Sequence, residues 1–111
     1  MFDMFKMLGK LNEAQEKMKE AKDKLAGITL QESELDGVVT VDISGNKKIL
    51  KISTSPEFYE KYAIDDREAI LAEAINNALD KAEAYSKDFI AREMKDLIPN
   101  IPGMDLSSFL G

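Results

Sequence analysis

A seven-residue repeat of apolar side chains through residues 4–28 dictates the first element of the fold. Two heptad positions, three residues apart, are apolar throughout: Met4, Leu11, Met18 and Leu25 at one, and Met7, Ala14, Ala21 and Ile28 at the other. This spacing places all of them along one side of an α-helix, in a seam of the kind that packs along another helix. Gly27 is a poor helix former, so we expect the helix to end there.

The sequence leaves the packing partner of this seam open. We define the heptad seam as the seven residues Met4, Met7, Leu11, Ala14, Met18, Ala21 and Leu25. Its alanines allow two backbones to approach closely, whereas its methionines pack adaptably and specify oligomeric state poorly. The seam is suited to the protein's own sheet, to a helix of a second copy, or to both.

Three strand-like runs follow at residues 28–34, 38–44 and 47–54. The dipeptides Asp36-Gly37 and Gly45-Asn46, typical of tight turns, separate them. The first run alternates weakly. In the second run, one face holds Val39, Val41 and Ile43. In the third run, one face holds Leu50, Ile52 and Thr54, and the other holds Lys47, Ile49 and Lys51. This pattern predicts a three-stranded antiparallel meander with one half-buried face.

A second long helix is predicted from residue 65 to about residue 95, after a short connection that follows Pro56. Asp65 and Glu68 have the spacing of a capping box at its start. Apolar residues then recur in steps of three and four: Ile70, Leu71, Ala74, Ile75, Ala78, Leu79, Ala82, Tyr85, Phe89 and Ile90. At 1.5 Å per residue the helix is about 45 Å long. Because that exceeds the depth of three strands, part of the stripe needs a further partner, and a second subunit is the economical one.

The order of elements predicts the α+β class: a long N-terminal helix, a three-stranded antiparallel meander and a long C-terminal helix. Residues 1–98 are predicted to form a single domain. Residues 99–111, which contain two prolines, two glycines and two serines, are predicted to form a flexible tail. A chain of this length buries only about two thirds of its unfolded surface, so a homodimer would gain stability.

The composition argues against catalysis. The chain contains neither cysteine nor histidine, which removes thiolate chemistry, the commonest general base and the commonest transition-metal ligand. No carboxylate motif has the spacing of a metal site. We therefore expect no enzyme, no metal, no cofactor and no small-molecule substrate. No run approaches the roughly 20 apolar residues of a membrane span, and the N-terminus lacks a signal-peptide core, so we expect a cytoplasmic protein without a membrane partner.

The net charge of −6 opposes nucleic-acid binding unless positive charge is concentrated locally. The best concentration is Lys47, Lys48 and Lys51, which we call the hairpin lysines. No acidic residue lies between residues 43 and 56, and a twofold axis would bring the total to six positive charges. Two interpretations stay open: contact with phosphates, or protection of an exposed edge strand against unwanted pairing.

A second candidate group is Lys10, Lys17 and Lys24, which we call the helix lysines. They lie seven residues apart beside the heptad seam. Glu13 precedes Lys17 and Glu20 precedes Lys24 by four residues, the favoured order for intrahelical ion pairs. A solvated helix face is therefore the competing interpretation, although such exposed pairs contribute only about 0.3–0.5 kcal/mol each.

The sequence resembles the YbaB/EbfC family of nucleoid-associated proteins. The likeness covers roughly residues 4–96 and rests on element order and three segments: MFKMLGKLNEAQEKMKEAKDKL, DGVVTVDISGNKKILKISTSPE and AINNALDKAEAYSKDFIAREM. It implies a tightly intertwined homodimer, associated with the nucleoid, that binds DNA with modest sequence preference and alters its conformation. Effects on gene expression, nucleoid organisation and DNA protection would follow. A protein-interaction or chaperone-like helical module without DNA binding is the alternative.

Overall fold

Three helices and three strands follow one another in the computed structural model, which describes residues 4–95. They are α1 (Met4–Ala26), β1 (Thr29–Glu34), β2 (Val39–Ser44), β3 (Ile49–Thr54), α2 (Pro56–Lys61) and α3 (Ile64–Glu93). The predicted α+β class and element order are confirmed, as is the end of the first helix at Gly27. The tail predicted at residues 99–111 lies outside the described residues.

The sheet is an antiparallel meander in the order β1-β2-β3, as predicted. Val39, Val41 and Ile43 of β2 are fully buried on one face. Against them lies α3, whose Ala74, Ala78 and Ala82 are also fully buried. Because alanine side chains are short, the helix backbone approaches the valines closely and covers β1 and β2. This contact forms the main core.

The predicted alternation in β3 is wrong at its beginning. Asp42 lies opposite Lys51, but the next residue of β2, Ile43, lies opposite Ile49, so Leu50 is an extra residue at a bulge. A bulge shifts the two-residue period by one. Ile49 therefore shares a face with Ile52, whereas the simple pattern had assigned that face to Leu50.

Lys47 and Lys48 belong to the turn between β2 and β3, because β3 begins only at Ile49. The Ser44 and Lys47 backbone N–H groups close the turn by donating to the Lys48 and Ser44 carbonyls, each at 2.9 Å. The Ser44 hydroxyl donates to the Asn46 side-chain oxygen and accepts from the Lys48 N–H at 3.1 Å. Lys47 adopts a left-handed conformation with φ of 68°. Local polar bonds thus shape the turn.

The short connection predicted after β3 contains a helix, α2, that the sequence analysis did not predict. Pro56 occupies the first turn of α2, where its fixed φ suits a helix and its missing N–H costs nothing. Helix α3 then begins at Ile64 with Ala63 at the N-cap, so the predicted cap at Asp65 is wrong and Asp65 lies in the first turn. There its negative charge still favours the positive helix end.

Arg67 holds this corner together. Its Nε donates to the carbonyls of Phe58 at 3.1 Å and Tyr62 at 2.8 Å, and its Nη2 donates to that of Tyr59 at 2.6 Å. Its guanidinium carbon also lies 5.3 Å from the centre of the Tyr59 ring. Arg67 thereby satisfies carbonyls that the end of α2 leaves unpaired. Sequence reasoning had assigned it no role.

A second core joins the C-terminal halves of α1 and α3. It is built by Ala21, Leu25, Ile90 and Met94, all buried. The turn between β2 and β3 packs beside it, because the Gly45 N–H donates to the Ile28 carbonyl at 2.9 Å. A Cβ on Gly45 would lie 2.7 Å from the Leu25 carbonyl oxygen and 3.0 Å from Leu25 Cδ2. Only glycine fits this approach without displacing the turn or α1.

We expect Gly45→Ala to lower the free energy of unfolding by about 1–3 kcal/mol, because the added methyl group meets backbone that cannot yield freely. Urea denaturation at a fixed protein concentration measures the change. Gly9→Ala is the matched control: a Cβ there meets nothing within 4 Å, and alanine favours the helix by up to about 1 kcal/mol. Equal stability of the Gly45→Ala variant and the wild type would contradict the packing described.

Candidate nucleic-acid interface

The hairpin lysines lie in the β2–β3 turn and on the solvent-facing side of β3. Lys47 and Lys48 are exposed in the β2–β3 turn, and Lys51 is exposed on β3. None of the three forms an ion pair with a carboxylate of the residues described. The register does, however, place Asp42 of β2 directly opposite Lys51. This pairing is not apparent from the sequence, and the carboxylate of Asp42 weakens the positive potential at Lys51.

The solvent-facing side of the sheet is polar and internally bonded. Gln31 Nε2 donates to Asp42 Oδ1 at 3.0 Å, and the hydroxyls of Ser33 and Thr40 lie 3.1 Å apart. These bonds cross from β1 to β2 and hold the side chains in place. This surface is therefore hydrophilic but carries little net charge, and the lysine-bearing turn at its end is the more positive part.

The helix lysines lie along α1 beside the heptad seam. Lys24 bridges to Glu93 of α3, with 3.6 Å between Nζ and Oε2. The predicted intrahelical pairs of Glu13 with Lys17 and Glu20 with Lys24 are wrong, because neither closes within residues 4–95. Packing of α3 against the end of α1 supplies Lys24 with a different partner. Lys10 and Lys17 form no ion pair with the described part of the chain.

The fold brings the β2–β3 turn to the C-terminal end of α1. Gly45, at the start of the β2–β3 turn, lies against Leu25 at the end of α1. The turn that carries Lys47 and Lys48 therefore adjoins the C-terminal end of the helix that carries Lys10, Lys17 and Lys24. We call this combination of α1 and the turn the basic strip. Sequence reasoning had treated its two parts as rival candidates.

Charge is divided unequally between the two long helices. α1 holds six lysines and four acidic residues, a net charge of +2, whereas α3 holds four basic and eight acidic residues, a net charge of −4. Positive charge is thus concentrated in α1 although the whole chain is acidic. Any polyanion would meet repulsion at α3 and attraction at the basic strip.

The basic residues of α3 are engaged within the protein. Arg67 binds carbonyls near α2, as described above. Lys81 Nζ donates to the Gln31 carbonyl at 2.7 Å and lies 3.7 Å from Glu32. Lys87 and Arg92 form ion pairs with acidic residues one turn earlier on the helix. These contacts make α3 a weaker candidate for a phosphate-binding surface than α1.

Asn77 of α3 also has a structural contact. Its Nδ2 donates to Glu34 Oε1 at 2.6 Å and so ties α3 to the end of β1. The preceding residue, Asn76, is exposed. The paired asparagines therefore differ in environment, and Asn77 serves the packing of α3 on the sheet.

The heptad seam is buried along only half of its length. Ala21 and Leu25 are buried, Ala14 and Met18 are half-buried, and Met4, Met7 and Leu11 are 65%, 48% and 53% exposed. The buried half faces the C-terminal part of α3. The exposed half belongs to neither core of the described residues.

A second exposed apolar surface lies on β3. Ile49, Leu50 and Ile52 are 38%, 55% and 41% exposed. Ile52 is paired with the buried Val41, so it points to the face that α3 covers over β1 and β2. Helix α3 does not reach across to this third strand. Ile49 and Ile52 therefore form an exposed apolar row at this edge of the sheet.

Residues 4–95 contain no group of three or more histidine, cysteine, aspartate or glutamate side chains placed to hold a metal ion. None of the helices they form is long and apolar enough to cross a bilayer.

Comparisons with known proteins place these features in a family. The sequence pattern of the YbaB/EbfC DNA-binding family matches residues 1–97. The chain is 29% identical over 104 residues to a nucleoid-associated protein of Flavobacterium johnsoniae, covering 93% of this chain and 95% of the relative. It is 29% identical over 106 residues to a nucleoid-associated protein of Rhizobium meliloti, covering 96% and 98%.

The fold is shared with a solved structure. The crystal structure of an uncharacterized protein from Helicobacter pylori superimposes with a TM-score of 0.73 at 15% sequence identity, covering 85% of this chain and 99% of that one. Since the family pattern spans all six helices and strands, the chain belongs to the YbaB/EbfC DNA-binding family.

Proposed function

We propose that this protein is a nucleoid-associated, DNA-binding homodimer that grips duplex DNA mainly through phosphates, with modest sequence preference. Binding would alter DNA conformation and, through it, nucleoid organisation, DNA protection and gene expression. The names of the family and of the relatives support the DNA-binding role. The observation that carries it for this chain is the contact between the lysine-bearing β2–β3 turn and the lysine-rich helix α1.

Phosphate contacts suit the residues that the basic strip contains. Lysine is a flexible point charge that neutralises phosphate without reading base edges. Each neutralised phosphate releases counterions, so affinity falls steeply with salt. A strip of this kind supports binding in the range of about 10⁻⁴–10⁻⁶ M that is typical of sequence-independent contacts. Groove shape would then supply the modest preference.

The open apolar row on β3 supports the proposal of a dimer. Ile49 and Ile52 lie on the same face as the buried residues of β2, yet no element of the described chain covers them fully. A second copy brings an identical row, and a twofold axis allows each to cover the other. Lys51 points to the opposite face of β3, so it stays accessible to DNA. In this arrangement each dimer presents two basic strips.

The alternative function is a protein-interaction or chaperone-like module. The exposed apolar residues of α1, among them Met4, Met7 and Leu11, are the observation that favours it. Methionine-bearing apolar surfaces adapt to varied partners. This function requires no DNA affinity, so a binding titration separates the two.

We expect saturable binding to duplex DNA that weakens steeply between low and moderate salt. Replacing Lys47, Lys48 and Lys51 together by Gln removes three charges per protomer and should make the slope of log affinity against log salt shallower by about 2–3 for each protomer in contact with DNA. Replacing Lys10, Lys17 and Lys24 together by Gln should also make this slope shallower. Fluorescence anisotropy with a labelled duplex at several salt concentrations gives both affinity and slope.

A charge-matched control separates local contact from net charge. Replacing Lys61, Lys87 and Lys95 by Gln removes the same charge from outside the basic strip and should change the slope much less. If the control changed the salt slope as much as both test variants do, the basic strip would not be the surface that contacts DNA. No binding at tens of micromolar protein in low salt would reject the DNA function and favour the alternative.

We expect Ile52→Asp to convert the dimer to a monomer, because the charged group would be buried against the second copy. Ser53→Asp is the matched control. Ser53 is the next residue of β3 and points to the solvent-facing side of the sheet, so this substitution should leave the dimer intact. Sedimentation velocity gives the mass of each variant, and circular dichroism verifies folding. If Ile52→Asp does not fold, Ile52→Thr serves in its place. An unchanged mass for the Ile52 variant, or a monomeric wild type, would contradict the interface.

A further inference from the structure

The N-terminal half of α1 presents an apolar surface to solvent. Met4, Met7, Leu8 and Leu11 lie within about 100° of arc around the helix and are 48–65% exposed. We call these four residues the α1 tip face. Their side chains are large, and a contiguous apolar surface of this kind marks an interaction site.

The charge beside the α1 tip face is positive. Between residues 4 and 12 the only charged residues are Lys6 and Lys10, of which Lys10 lies next to Met7 around the helix. Lys6 points to the other side of the helix, as does Glu13, the first acidic residue that follows. A partner for this surface should therefore be apolar and acidic.

The last sixteen residues of the sequence have that chemistry. Residues 96–111 contain two acidic residues, Asp96 and Asp105, and no lysine or arginine. They also contain seven large apolar residues: Leu97, Ile98, Ile101, Met104, Leu106, Phe109 and Leu110. The segment lies beyond the described residues, and its composition complements the α1 tip face in both polarity and charge.

The fold delivers this segment to the right place. Ile90 and Met94 at the end of α3 are buried against Ala21 and Leu25 of α1. The chain therefore leaves α3 alongside α1. From Ala21 to Met4, the far end of the α1 tip face, is about 26 Å along the helix, and sixteen residues reach about 50 Å when extended. The segment can reach the whole α1 tip face without leaving its own protomer.

We propose that residues 96–111 dock on the α1 tip face of the same chain. The apolar side chains of the segment cover Met4, Met7, Leu8 and Leu11, and its carboxylates lie near Lys10. The exposed half of the heptad seam is then an intramolecular surface. This inference does not depend on DNA binding.

Disulfide mapping tests the proposal, because the chain has no cysteine of its own. In the full chain, Leu11→Cys is combined with Leu106→Cys or, in a second variant, with Phe109→Cys. Mild oxidation should give an intrachain disulfide in at least one variant, at about tenfold higher yield than the control, because docking raises the effective concentration of the two thiols. Mass spectrometry under non-reducing conditions identifies the product.

Glu13→Cys with the same tail cysteine is the matched control, since residue 13 is only two positions away but faces the other side. Equal intrachain yields for residues 11 and 13 would overturn the proposal. Disulfides formed only between chains would also overturn it and would assign the α1 tip face to a second copy. Preferential intrachain linkage at residue 11 would support it.

A fluorescence measurement on the full chain gives an independent test. The sequence has no tryptophan, so Leu8→Trp introduces a single reporter on the α1 tip face. In that background, Leu106→Ser with Phe109→Ser should shift the emission maximum to longer wavelength as the tryptophan becomes solvated. Ser107→Ala with Ser108→Ala is the control and should leave the emission unchanged. Identical spectra for the two double variants would contradict docking.

Discussion

The burial of an alanine face of α3 against the valines of β2 is the contact on which the rest of this structure depends. Ala74, Ala78 and Ala82 allow the helix to lie close to Val39 and Val41. A helix this close covers two strands and leaves the third open. The same contact directs the far end of α3 towards α1, where Ile90 and Met94 form the second core. The open edge of the sheet and the joined ends of the long helices both follow from it.

Periodicity was sufficient to predict the element order, because each long element buries one face. The heptads of α1, the alternation of β2 and the stripe of α3 all correspond to structure. The errors fall where local and tertiary effects compete. The bulge at Leu50 shifts the two-residue alternation of β3, and no residue type in the sequence marks that shift. Helix α2 and the early start of α3 depend on Arg67, whose contacts with backbone carbonyls carry no sequence signature.

The candidate site was predictable in composition but not in arrangement. Counting charges identified Lys47, Lys48 and Lys51 as a local excess. Strand register then brought Asp42 opposite Lys51, and helix packing gave Lys24 to Glu93. Neither neighbour is near in sequence. The close contact between the β2–β3 turn and α1 requires a glycine at residue 45. From the sequence, Gly45 was interpreted only as a turn residue.

The opposite net charges of α1 and α3 give each protomer an electric dipole moment. In the field of a polyelectrolyte such a molecule experiences a torque before any contact forms, so it approaches with α1 leading. An acidic overall composition is thus compatible with attraction to a polyanion, because one of the two long helices carries a net positive charge.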